Sequence, residues 1–367
     1  MAWISIQDAK ASHGGLIEDT IEKTNDLGIA NSSARLLPAG TVCLSRTASV
    51  GYVVVTTRPM ATSQDFVNWV CGDELEPEFL KHLLLAEGEQ LLRFASGAVH
   101  QTIYFPEAKA FYVCIPARKE QRRIVAILEE ALEGIAAAKA NAEKNLQNAR
   151  EWAARQLAAA LNIASATGRS DTLEKLVVPS CTLSYGIVQP GDDVPGGLPV
   201  VRPVDLGDKT VYADGLKRID PALARSYVRT TLEGNDLLLC VRGTTGTVAV
   251  AEPALAGANV TRGIVPIRFD PQTITQAFGY YLLRSAPVQA QIRAKTYGTA
   301  LMQINIGDLR KIVVAFPPVE KQAALVEQLD AIQEAADQLI DVYGRKLAAL
   351  DELKRSLLQQ AFSGGLS

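Results

Sequence analysis

Two long stretches of this chain carry the same alternation of apolar and polar positions. In the later one Leu325, Leu329, Ile332, Ala336, Leu339 and Tyr343 recur at spacings of four and three, and after a shift of phase Leu347, Leu350, Leu353 and Leu357 continue the stripe. In the earlier one Ile124, Leu128, Ala131, Ile135, Ala138, Ala142, Leu146, Ala149 and Trp152 share one face. Alternating threes and fours keep one apolar seam turned towards a partner helix. Each stretch therefore predicts a helix of roughly 40–45 residues, about 65 Å long at 1.5 Å per residue. Neither is stable alone with a single apolar face, so each is the other's expected partner, packed antiparallel. The expected interface is Leu128, Ile135, Leu146 and Trp152 against Leu329, Leu339, Leu350 and Leu357.

The segments opening these helices are copies. Pro116, Gln121, Val125 and Leu128 match Pro317, Gln322, Val326 and Leu329 at a constant offset of 201 (317 − 116). Shorter elements precede each copy in the same order. A strand at Trp3-Ile-Ser-Ile-Gln-Asp resembles Val200-Val-Arg-Pro-Val-Asp, and a hairpin over Gly40–Arg46 and Gly51–Thr56 resembles the one over Asp236–Arg242 and Gly246–Val250 with one residue fewer. Further elements are expected at Phe66–Val70 (strand), Pro77–Leu85 (helix) and Phe111–Ile115 (strand). The loops holding Gly97 and Gly298 sit just before the closing strands, again 201 apart (298 − 97). A fixed period of this size indicates two similar halves. The expectation is an α+β protein with a pseudo-two-fold repeat. A mixed α/β domain spans 1–115, a long helix and linker (the linker at Asn162–Thr172) span 116–171, a second mixed domain spans 172–315, and a second long helix spans 316–367. Leu173–Gly197 precede Val200, whereas only Met1 and Ala2 precede Trp3, so the first domain reads as short at its start. A strand at Leu173–Val178 without a counterpart predicts an unpaired edge in the first domain, and with it self-association.

Composition narrows the chemistry. The 367 residues are 48% hydrophobic and carry a net charge of −3, so the chain as a whole has no basic bias towards nucleic acid, although local basic patches remain open. Five cysteines, Cys43, Cys71, Cys114, Cys181 and Cys240, lie scattered without CxxC or CxxH spacing and read as reduced thiols. No apolar run reaches the ~18–20 residues of a membrane span, and the expected location is the cytoplasm. His13, His82 and His100 are far apart, with no second His or Cys at a ligand spacing, so zinc is not expected. The phosphate-loop, dinucleotide and nucleophile-elbow patterns are missing too, and no active site is expected.

The duplicated Pro116–Leu128 and Phe316–Leu329 openings resemble the specificity subunit of type I restriction-modification systems. Gly97 with His100 and Gln101, Gly298 with Gln303, and the closing Leu357-Leu-Gln-Gln-Ala-Phe-Ser-Gly carry the same resemblance. It implies two target-recognition domains, each reading half of a split DNA site, held apart by the helix pair. It also implies partners: double-stranded DNA, modification (methyltransferase) subunits and a restriction subunit that translocates on ATP. On this reading the chain binds no cofactor itself. S-adenosylmethionine, ATP and Mg belong to the partner subunits. Candidate DNA contacts are Arg46 and Arg242, which close hairpin strands, Arg202 and Arg262 in the second domain, and His100, Gln101 and Gln303 in the glycine loops. The competing class is a coiled-coil adaptor whose two β-rich domains bind proteins.

Overall fold

The computed structural model describes residues 1–47, 49–97, 101–166, 168–298 and 301–363, and the chain forms two compact units. One comprises Met1–Asn145 and Val342–Ser367, the other Leu146–Asp341. The long helices, Arg118–Ala166 and Val319–Phe362, thus each begin in one unit and end in the other.

In the first unit the buried runs Val42–Ser45 and Val53–Thr56 form an antiparallel hairpin, flanked by Leu16–Ile17 (parallel to Val53–Thr56) and by Phe66–Trp69 (antiparallel to Val42–Ser45). Beside this sheet, Ala2–Ile4 pairs with Glu22–Lys23 and, in parallel, with Met60–Thr62. The second unit repeats the wiring strand for strand. Leu237–Cys240 and Val248–Ala251 make the hairpin, with Thr210–Val211 and Ile264–Ile267 outside it. Leu198–Val201 pairs with Arg218–Ile219 and, in parallel, with Asn259–Val260. Continuous burial of these valine- and leucine-rich strands explains why they read as apolar runs rather than as alternating ones. Helices Pro77–Glu87 and Gln276–Arg284 cover the sheets with Phe79 and Phe278, 2% and 0% exposed.

Register corrects one expected equivalence. Val42 faces Val55 as Leu237 faces Val250, so the hairpins are related by 195 (237 − 42) and their turns are equally long. Arg46 therefore corresponds to Val241, and Arg242 to Thr47. The backbone agrees: Ile103 N–H donates to Arg46 O and Ile304 N–H to Val241 O.

Two expected strands also change. The linker expected at Asn162–Thr172 does not form, because the first long helix continues to Ala166 and Arg169–Thr172 is a strand, antiparallel to Val313–Phe316. Leu173–Lys175, expected to be extended, is a 3-10 turn that buries Leu173 completely. In the first unit Phe111–Ile115 is not a strand, and Tyr112 is 94% exposed. A polar strand such as Arg-Ser-Asp-Thr exists because an edge is offered to it, and an apolar stretch without a partner stays irregular.

The duplicated glutamines lock the helix starts. Gln121 and Gln322 are both 0% exposed. The Gln121 amide donates to Glu74 O and Pro116 O, each at 2.8 Å, and accepts from Glu76 N–H at 2.9 Å. Gln322 donates to Thr273 O at 2.8 Å and Pro317 O at 3.1 Å and accepts from Thr275 N–H at 2.8 Å. Glu76 and Thr275 are the residues that cap the covering helices, so each glutamine ties a long helix to its own domain.

Within the first unit the helices run antiparallel. Lys139 Nζ meets Asp351 Oδ1 at 2.5 Å, while Ile124 and Leu128 share a core with Leu358 and Ala361. In the second unit Ala160, Leu161 and Leu329 join another core. The seam is built more from alanine than expected: Leu128, Ile135 and Leu329 are buried, as are Ala142, Ala149, Ala153 and Ala336. Trp152 and Leu339 are each 40% exposed, so they are not seam residues, and Leu146, Leu350 and Leu357 are half-buried beside it. At Ala149 the seam steps four residues, to Ala153, where a step of three leads to Trp152. Close helix packing favours the smaller side chain.

Candidate nucleic-acid interface

In the second unit three separate loops converge. The turn after Leu237–Cys240 carries Arg242, the connection between Asn259–Val260 and Ile264–Ile267 carries Arg262, and the ribbon Thr296–Tyr297/Gln303–Ile304 carries Gln303. Arg242 and Gln303 form a β-bridge, and Gly243 N–H donates to Met302 O at 2.8 Å, so turn and ribbon are knitted together. Gly298 permits the ribbon's reversal at φ 117°. A side chain there would collide with the Leu301 carbonyl oxygen, and Gly97 holds the same conformation at φ 121°.

Tyr185 joins the cluster by donating its hydroxyl to Ile304 O at 3.0 Å. Burial raises its phenol above the usual range, and the guanidinium groups of Arg262 and Arg242 act in the opposite direction. Val241 N–H donates to Gly263 O at 2.8 Å, which ties together the loops that carry Arg242 and Arg262. Arg262 is exposed and Arg242 half-buried, beside Tyr297 and Met302, each 43% exposed. Gln303 Nε2 donates to the Tyr297 hydroxyl at 3.2 Å. Guanidinium, amide and aromatic groups on one face can contact phosphate oxygens and base edges.

The remaining candidates stand elsewhere. Arg202 is committed to Asp205, with its Nη2 2.9 Å and its Nε 3.2 Å from the carboxylate, across the turn that Asp205 also caps. Asp8 and Ser5 make the equivalent cap in the first unit. Arg46 donates to Ile103 O at 3.3 Å and lies 4.8 Å from the Phe105 ring centre, so it braces a loop. Gln101 is exposed, and His100 lies outside the described residues. Tyr185 and Tyr297 were missed in the sequence because nothing local relates positions 185, 242, 262 and 297. By register the first unit carries Thr47, Gln64 and Thr102 where the second carries Arg242, Arg262 and Gln303.

One group of metal-capable side chains occurs among the described residues, Glu78, His82 and Glu129 in the first unit. Glu78 and His82 stand one helical turn apart, a spacing passed over in the sequence, where only a second His or Cys was sought. The Lys81 ammonium pairs with Glu78 and lies 3.9 Å from Glu129. The site's positive charge is thus already supplied.

Two copies of one mixed α/β domain, each leading into a long helix and each presenting different loop chemistry at equivalent positions, define a duplicated recognition protein. The chain belongs to the family of the type I restriction modification DNA specificity domain, whose model matches residues 2–146 and 194–341. It is similar to the type I restriction enzyme EcoBI specificity subunit of Escherichia coli, 27% identical over 195 residues, 53% of this chain and 41% of that protein. It also resembles the putative type I restriction enzyme MjaX specificity subunit of Methanocaldococcus jannaschii, 24% identical over 145 residues, 40% and 32% of the two chains. These matches span less than half the length of the relatives. Among solved structures, a chain from a study of assembly and conformational transition of the type I R-M system aligns with TM-score 0.74 and 19% identity, over 99% of this chain and 91% of that one. The HsdS subunit from Thermoanaerobacter tengcongensis aligns with TM-score 0.60 and 19% identity, over 99% and 90%. At these identities the structural likeness concerns the fold.

Proposed function

We propose that the chain is the non-catalytic, sequence-reading subunit of a type I restriction-modification assembly, and that it reads a split DNA site with one half for each unit. Residues 1–115 and 172–315 are the two target-recognition domains, and 116–171 with 316–367 supply the helices that set their spacing. The supporting observation is the contrast at equivalent positions, Thr47, Gln64 and Thr102 in one domain against Arg242, Arg262 and Gln303 in the other. Domains of one fold with different donors and acceptors on the same loops read different base edges. Arg242, Arg262 and Gln303, flanked by Tyr185 and Tyr297, contact one half-site. Gln101 and the loop around it contact the other, while Arg46 and Arg202 keep the loops in shape. Methyl transfer from S-adenosylmethionine and ATP- and Mg-dependent cleavage belong to modification and restriction subunits docked on this chain.

DNA selection with the chain and its modification subunit tests the reading. A gapped, two-part consensus is expected, whereas a protein-binding adaptor enriches no sequence. Matched insertions of seven residues after Asn145 and after Asp341 add two heptad turns, about 10 Å, to both helices. The gap should lengthen by about three base pairs at 3.4 Å each, with both half-sites unchanged. Altered base preference at an unaltered gap refutes the role of the helices.

A further inference from the structure

Away from the loops assigned to DNA, the first unit holds a cavity of about 600 Å³ walled by three helices. Leu85 comes from Pro77–Glu87, Leu132 and Ile135 from Arg118–Ala166, and Leu358 from Val319–Phe362. The same cavity is lined by His13, His82, Lys139, Asp351, Lys354 and Arg355. Asp351 is taken by Lys139 at 2.5 Å, whereas Lys354 and Arg355 are exposed and make no ion pair among the described residues. His82 is 3% exposed, and neither ring nitrogen has a hydrogen-bond partner. Burial holds this imidazole below its ordinary value, so near neutral pH it offers one N–H donor and one acceptor nitrogen. Buried polar groups of this kind are costly unless something meets them.

The second unit carries other chemistry at the equivalent positions. Glu76 and Thr275 set the covering helices at an offset of 199 (275 − 76), and Gln121 and Gln322 set the long helices at 201 (322 − 121). His82 therefore corresponds to Tyr281 and Glu129 to Asp330. Tyr281 donates its hydroxyl to Asp330 at 2.5 Å, whereas His82 Nε2 stands 3.9 Å from Glu129, beyond hydrogen-bond reach. The core alanines Ala160 and Ala361 are again 201 apart (361 − 160), which gives Ala153 and Ala154 the places of Lys354 and Arg355. One copy thus has a closed pair and two alanines where the other has an unmet imidazole and two uncompensated cations. The fold itself does not require the difference.

We propose that this cavity binds a purine nucleotide, its base against the leucines and His82 and its phosphate on Lys354 and Arg355. A phosphate ion alone leaves the apolar wall uncovered and the imidazole unmet. An alkyl carboxylate covers the wall but brings nothing for the ring nitrogens. A purine has apolar faces, and its edge carries the donors and acceptors that a neutral imidazole needs. Its phosphate takes the two cations in charge-assisted hydrogen bonds. Val53 N–H donates to His13 Nδ1 at 3.1 Å, which leaves the His13 proton on Nε2 as a further donor. The volume falls within the roughly 300–1,000 Å³ of small-molecule sites, which likewise join apolar walls to a few polar groups. No local motif marks the site, because its polar residues come from positions 13, 82 and 354–355.

Isothermal titration calorimetry of the full-length protein with AMP and with GMP tests the assignment. Saturable one-to-one binding of at least one of them is expected, with its nucleoside and inorganic phosphate each at least tenfold weaker. Replacing the exposed pair, Lys354→Ala with Arg355→Ala, should weaken the nucleotide at least tenfold and leave the nucleoside unchanged. His82→Phe should weaken nucleotide and nucleoside alike, a pattern that loss of charge does not produce. The exposed pair keeps the test decisive if the buried substitution prevents folding. Inorganic phosphate binding as tightly as the nucleotide would mark an adventitious ion only and overturns the proposal. So does the absence of saturable binding, or nucleotide binding that is indifferent to the Lys354 and Arg355 substitutions and lost in Arg242→Ala, which would place it at the DNA-reading loops.

Discussion

Replacing Gln121 with leucine tests whether the twin glutamines are the fasteners that the hydrogen bonds make them. The side chain is fully buried and makes three hydrogen bonds, two as donor to the Glu74 and Pro116 carbonyls and one as acceptor from Glu76 N–H. Leucine has similar volume, so little cavity forms, and the loss is polar. A buried group left without its partner costs about 1–3 kcal/mol. Three groups are affected and leucine regains some apolar burial, so the expected destabilisation is about 2–4 kcal/mol. Gln121→Glu should be worse, because it sets an acceptor against two carbonyl oxygens and buries a charge. Urea unfolding followed by tryptophan fluorescence gives the stability change. Amide exchange localises it, since the Glu76 amide should exchange faster in Gln121→Leu and the Thr275 amide only in Gln322→Leu. A loss below about 0.5 kcal/mol, a magnitude ordinary for surface substitutions, or equal acceleration of both amides in either variant, refutes the reasoning.

Alanine at Arg242 or Arg262 should weaken DNA binding by about 1–3 kcal/mol if the guanidinium reads a base, or reduce the salt slope by about 1 if it holds a phosphate. Selection should show changes confined to one half-site, and unaltered binding by both variants removes the cluster from the interface. Arg46→Met should lower stability by about 1 kcal/mol, the scale of one hydrogen bond, and leave the recognised sequence intact. An altered consensus would show that Arg46 touches DNA. Burial, with the Lys81 and Lys354 ammonium groups nearby, pushes His82 down to about 4 from an ordinary 6.5. The unfolded chain therefore takes up this proton first as pH falls, so the stabilisation is complete above pH 6.5 and is lost between 6.5 and 4. At 1.36 kcal/mol per unit it amounts to roughly 3 kcal/mol. The pH slope of stability in that window should fall by one proton in His82→Phe, and an unchanged slope would place the ordinary histidine value in the folded protein.

The two long helices and the repeat were legible in the chain because each rests on spacing alone, and the recognition class came from the family resemblance that the duplicated openings carry. Heptad-like alternation states which face is apolar, and Pro116 with Gln121 against Pro317 with Gln322 states that the pattern occurs twice. Positive φ at Gly97 and Gly298 was foreshadowed in the same way, by glycine recurring at one place in the repeat. Other features depended on partners distant in sequence. Whether Arg169–Thr172 or Phe111–Ile115 became a strand turned on the presence of an edge to pair with, and the more apolar of the two remained irregular. Hairpin register, set by Val42 against Val55 and Leu237 against Val250, made Arg242 the counterpart of Thr47 and left Arg46 beneath Phe105. The choice of Ala153 over Trp152 at the helix seam was made by the surface facing it. Tyr185, Arg242, Arg262 and Gln303 meet because sheet topology closes loops of many residues. Local periodicity encodes which side of an element avoids water, and long-range pairing decides what that side meets.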